Sequence, residues 1–121
     1  MKQDLIKQLK ELPADIEAKE NEILVRKNDL EELKHSIEYY KSQVTQKVED
    51  ESKENKELSN ATKRASEVKR RLDNSTTYKT LIDDYKEKNI IFEVFKLKIG
   101  RLKREFRGAE AIARLGRWKD Y

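Results

Sequence analysis

Apolar residues recur along this chain at alternating intervals of three and four. From Tyr78 to Leu115 they run Tyr78, Leu81, Tyr85, Phe92, Phe95, Ile99, Leu102, Phe106, Ala109 and Ala113, with one polar interruption at Lys88. This is a heptad seam: its period keeps a narrow apolar strip turned toward a partner helix. As one helix the stretch is ~57 Å long at ~1.5 Å per residue, too long for a small globular core to cover. A helix of similar reach elsewhere in the chain, or a second copy, must lie along it.

The first half supplies such a helix. Leu9, Ile16, Ile23, Leu30, Ile37 and Val44 are spaced by seven, and Leu12, Leu33 and Tyr40 fill the companion seam position. Lys19 and Arg26 occupy that position in between, where their stems can cover apolar surface while the charged heads stay wet. Met1 to Leu12 is amphipathic through Leu5, Ile6, Leu9 and Leu12. Pro13 then lacks a backbone donor and disfavours helix at Leu12, so a boundary or kink is expected there.

Between Lys47 and Glu57 the seam fades, yet KVEDESKENKE holds no Gly or Pro to force a turn. Apolar positions resume at Leu58, Ala61, Ala65, Val68 and Leu72, and Val44 to Leu58 spans two whole heptads. The preserved phase favours one helix over 14–72; a break near Glu51 would instead give a three-helix bundle. Asp73, Asn74, Ser75, Thr76 and Thr77 cluster turn and cap formers. Asn74 can end the first helix in the left-handed region, and Thr76 or Thr77 can cap the second. The sequence therefore predicts an all-α, elongated antiparallel helical hairpin or coiled coil, in a single domain over 1–121. Its parts are a short helix over 1–12, a long helix over 14–72, a turn over 73–77, a second helix over 78–115 and a basic-aromatic tail over 116–121.

Two apolar rows then lack cover. A helix of ~59 residues overhangs one of ~38 by about 30 Å, leaving Ile16, Ile23 and Leu30 bare. Ile90, Val94 and Leu97 form an extra row outside the second seam. Phe95, Leu97 and Ile99 also alternate with Lys96 and Lys98 like a strand, but a lone strand has nothing to pair with. Both rows invite self-association, and a homodimer is expected.

Composition agrees with long helices: charged residues make up 43% and hydrophobic ones 36%, a thin core under a large charged surface. With no cysteine, disulfides, thiolate catalysis and cysteine-ligated zinc are excluded. MKQDLIKQLKELP lacks the apolar core of a signal peptide, and no run approaches the ~20 apolar residues of a membrane span. A soluble, cytoplasmic protein without a membrane partner is expected. The net charge of +4 is unevenly spread: residues 96–121 carry nine Lys and Arg against Glu105, Glu110 and Asp120. Such asymmetry points to the end that meets an anionic partner.

Candidate chemistry is sparse. His35, the only histidine, falls on the exposed side of its helix with no second His or Cys to share a metal. Asp83 with Asp84, and Asp50 with Glu51, are neighbours on a helix and diverge. Gly100, Gly108 and Gly116 form no phosphate loop; they imply local bending, or close approach of a partner at Gly108. No enzyme, cofactor, metal or small-molecule substrate is expected. The candidate binding surface is Lys96, Lys98, Arg101, Lys103, Arg104, Arg107, Arg114, Arg117 and Lys119. Trp118 and Tyr121 stand beside it, able to stack on unpaired bases or to anchor a protein. The alternative is a charged flank that pairs with the acids between Glu11 and Glu32.

The run LKREFRGAEAIARL, Leu102 to Leu115, resembles the C-terminal ends of small helical proteins of bacteriophage replication and recombination gene clusters. The charged-hairpin plan is also similar to Gam-type host-nuclease inhibitors. That resemblance implies a non-enzymatic dimer acting near DNA in a host cytoplasm. Its basic end would meet DNA, RNA or a nucleic-acid-processing host protein. A scaffold or assembly chaperone binding only protein is the alternative.

Overall fold

The computed structural model describes residues 2–119, with side chains over 2–116. Among these the fold is all-α, with no strand. The elements are α1 (Lys2–Ser52), a single 3₁₀ turn (Lys56–Leu58), α2 (Ala61–Asp73) and α3 (Thr76–Lys119).

The seams predicted from sequence are the strips that are covered. On α1 the half-buried and buried positions include Leu9, Leu12, Ile16, Lys19, Ile23, Arg26, Leu30, Leu33, Ile37, Tyr40 and Val44. On α3 they include Tyr78, Leu81, Tyr85, Phe92, Phe95, Ile99, Leu102, Phe106, Ala109 and Ala113. The polar interruption on α3 is filled by half-buried Asn89, while Lys88 is exposed.

Helix α1 does not stop at Pro13. Pro13 sits on the exposed side while Leu12 beside it is buried. Burial along the unbroken seam outweighs the ~3 kcal/mol that an interior proline costs a helix. Nor does the helix continue to Leu72: it ends at Ser52. Past Val44 the covered positions are Val48 and Ser52. The spacing has widened to four, and Val48 has no exposed surface at all. Two asparagines then reset the chain. Asn55 accepts from the Glu57 amide at 3.0 Å, Asn60 accepts from the Lys63 amide at 2.8 Å, and Leu58 between them is buried. Capping by Asn makes a turn without Gly or Pro. Arg64 donates to the Leu58 carbonyl at 3.2 Å and ties the turn to α2.

The chain reverses here, over 53–60, and not at 73–77. Val48, Thr45 and Lys41 line grooves with Ala61, Ala65, Val68 and Leu72, while Tyr40 bonds Ser75 at 2.6 Å and stacks on Tyr78 at 6.2 Å. Partners therefore rise in number along α2 and into α3 as they fall along α1, so α2 and α3 follow one another antiparallel to α1. Asn74 and Ser75 merely interrupt the returning arm. Asn74 is right-handed (φ −93°), and Ser75, rather than Thr76 or Thr77, caps α3 by accepting from the Tyr78 amide at 3.1 Å. Ala61 and Ala65 face α1, not the start of α3.

Two compact units are present: Asn28–Asn89, and Met1–Lys27 with Ile90–Tyr121. The first holds the reversal. A charge chain there links Arg70 and Arg71 to Glu67, and Arg71 onward to Glu51 at the end of α1. Hydrogen bonds from Arg70 and Arg71 hold the Glu67 carboxyl down to about 2, and both guanidinium groups are raised in return.

In the second unit the N-terminal part of α1 packs on α3. Leu12, Ile99 and Ala109 are buried, and Ile16 and Ile23 are half-buried. The overhang expected at Ile16, Ile23 and Leu30 does not exist; Leu30, in the other unit, is 7% exposed.

Candidate functional site

The basic segment lies on α3 in the unit formed by Met1–Lys27 and Ile90–Tyr121. Its backbone is regular helix through the glycines. A Cβ built at Gly108 meets nothing within 4 Å, so no neighbour in the chain requires that glycine. Because α3 is helical, the cations separate by phase. Lys103 turns toward α1 and meets Glu20 at 2.8 Å. Lys96, Arg107 and Arg114 repeat on that same edge, at helical intervals of seven, four and eleven from it. Arg104 follows on the back of the helix. Lys98 and Arg101 lie toward the opposite edge.

Their partners are few. Lys96 reaches Glu93 at 3.7 Å and the Phe92 ring at 5.3 Å. Lys98 lies 5.5 Å from the Phe95 ring. Among the described residues, Arg101, Arg104, Arg107 and Arg114 are exposed and make no ion pair; Arg107 only leans on the Lys103 carbonyl at 3.5 Å. The seam-flank alternative, in which these cations pair with acids of α1, thus accounts for Lys103 alone. The side chains of Arg117, Trp118 and Lys119, and all of Tyr121, lie outside the described residues.

Phe95 gathers a cluster that the sequence does not announce. Arg26 packs over its ring at 4.3 Å and Lys19 at 5.6 Å, so both cations in the α1 seam lie against one aromatic ring. Stems and charges are both used there, since a ring face attracts a cation. Glu22 holds the Arg26 guanidinium at 3.1 Å. Arg26 Nε is buried without a hydrogen-bond acceptor.

Of the second apolar row, Ile90 is 64%, Val94 44% and Leu97 73% exposed, so it stays uncovered within the chain. A hollow rich in acids lies in the same unit: Asp4, Glu11, Asp15 and Glu105 line it together with Lys7, Gln8 and Leu12. The signal for it was present in the sequence, since Asp4 and Glu11 are a heptad apart on the seam's flank. His35, Asp83 and Asp84 are exposed, and Glu51 is engaged by Arg71. Among the described residues no group of three His, Cys, Asp or Glu is placed to hold a metal, and no helix is long and apolar enough to cross a membrane. Comparisons with protein-family models, with curated proteins and with solved structures find no match for the chain.

Proposed function

We propose that this chain is a non-catalytic coiled-coil interaction protein that engages nucleic acid through the outer surface of α3, in the cytoplasm. The observation that carries this reading is the state of the arginines. Arg104, Arg107 and Arg114 are exposed and, among the described residues, unpaired, on a helix whose inner strip is already covered. Unpaired guanidinium groups suit phosphate oxygens, to which they offer a planar donor fork. They lie one to two turns apart along a regular helix, so they can contact successive phosphates and read no bases. The resemblance of Leu102–Leu115 to phage replication and recombination proteins supports the same reading. A nuclease-inhibitor role would direct the surface to an acidic, DNA-mimicking or DNA-processing protein instead.

The test is a mobility-shift titration at low salt with single-stranded and duplex DNA and with RNA. Binding through about four cations gives a log–log salt slope near −3.6 on duplex, hence a loss of roughly 100-fold between 50 and 200 mM salt. Changing Arg104, Arg107 and Arg114 together to Glu abolishes the shift and leaves helicity intact. If no nucleic acid shifts at micromolar protein, direct binding is wrong and the protein-partner reading takes its place.

A further inference from the structure

In the unit of Met1–Lys27 with Ile90–Tyr121, the helix pair has two broad faces. One is marked by the Glu20–Lys103 ion pair. The other is marked by the hollow that Asp4, Glu11 and Asp15 of α1 share with Glu105 of α3. Heptad steps from those residues define the rest of this second face. Along α1 it continues through Ala18, Glu22 and Val25; along α3 it runs back from Glu105 through Arg101, Lys98, Val94 and Ile91, and forward through Gly108 to Ile112 and Leu115. Every one of these positions is exposed.

The face is divided by charge. Its α1 half carries Asp4, Glu11, Asp15 and Glu22 against one cation, Lys7. Its α3 half carries Lys98 and Arg101 with Glu105 among apolar residues. The heights also match. Lys103 is level with Glu20, and Phe95 packs against Arg26. Along the antiparallel pair, Glu22 is therefore within about a turn of the height of Lys98, Val25 of Val94, and Ala18 of Arg101.

We propose that this face binds a second copy of the chain about a two-fold axis parallel to the helices. Such an axis preserves height and lays each copy's α1 half over the other's α3 half, antiparallel, as in a four-helix bundle. Glu22 then meets Lys98 and shares itself between that residue and Arg26. Asp15 and Glu11 receive Arg101, and Val25 covers Val94. Ala18 and the open space at Gly108 let the helices approach. The other two-fold arrangement sets α1 on α1, carboxylate against carboxylate. Like charges at close quarters disfavour it, so the charge pattern favours the mixed pairing. The surface proposed for nucleic acid, with Lys96, Arg107 and Arg114, lies on the opposite side and stays open. The dimer does not depend on that reading.

The test uses two charge-reversed chains, Asp15→Lys with Glu22→Lys, and Lys98→Glu with Arg101→Glu, measured by sedimentation at tens of micromolar. Wild type sediments at twice 14.4 kDa. Each reversed chain alone loses the dimer, and a one-to-one mixture restores it, because both junctions in the mixed dimer are again opposite in sign. An independent measurement uses the absence of native cysteine. Val25→Cys mixed with Val94→Cys gives a two-chain product under mild oxidation, and neither variant alone does. A wild type of single-chain mass, reversed chains that dimerise unchanged, or mixtures that neither associate nor cross-link would each overturn the proposal.

Discussion

Val48 offers a direct test of where the chain reverses. If the heptad phase of Val44 ran on through a continuous helix, the next seam positions would be Lys47 and Glu51, and Val48 would lie beside the strip in water. Among the described residues it is the one hydrophobic side chain with no exposed surface, closed in at the start of the reversal, where Ala61 and Ala65 of α2 border it. Val48→Ala removes two buried carbons, a transfer loss of about 1.6 kcal/mol at ~0.8 per methylene. The cavity adds roughly 1 kcal/mol at ~24 cal/mol per Å³ for a void of about 50 Å³. Alanine's better helix propensity returns about 0.5 kcal/mol. The net expectation is a loss of about 2 kcal/mol. Urea unfolding read by near-UV tyrosine signal reports on the correct unit, since Tyr39, Tyr40, Tyr78 and Tyr85 all lie in Asn28–Asn89. A loss below about 0.5 kcal/mol, or a gain from alanine's propensity, would refute the reversal at 53–60, because it would mean that the side chain was never buried.

Pro13→Ala should stabilise α1 by up to about 3 kcal/mol, because the site is exposed, loses no packing and regains a helical donor; thermal unfolding by circular dichroism measures it. Ser75→Ala removes both the cap on α3 and the bond to Tyr40, for a cost of about 1–2 kcal/mol in the same unfolding assay as Val48. The depressed Glu67 carboxyl contributes stability that is fully present above the ordinary value of 4.5 and is lost as pH falls through about 2. An acid titration of the fold should show that dependence, and Glu67→Gln should flatten it; an unchanged acid limb would remove Glu67 from the account.

Local pattern fixed which residues form the inner strips. A helix turns by the same angle per residue whatever surrounds it, so spacings of three and four select one face. Leu9 to Val44 and Tyr78 to Ala113 were legible on that ground, as was the stray row at Ile90, Val94 and Leu97. The same pattern is silent on partners, since any heptad strip can lie along any other. Phase kept from Val44 to Leu58 suggested a continuous helix, yet Leu58 is apolar because it plugs the turn between the caps Asn55 and Asn60. The polar cluster at Asp73–Thr77 looked like the reversal, yet Ser75 only restarts a helix already running back along α1. Deciding between the two sites required the burial of Val48 and Leu58 and the contact of Tyr40 with Ser75 and Tyr78, all of which join residues distant in sequence. The basic end followed the same division. Its charge was plain in the composition, but only packing shows that Lys103 turns inward to Glu20 while Arg104, Arg107 and Arg114 face outward. Packing likewise decides that Asp15 and Glu105 share one face, because the pairing of two helices, and not the period of either, sets which flanks meet.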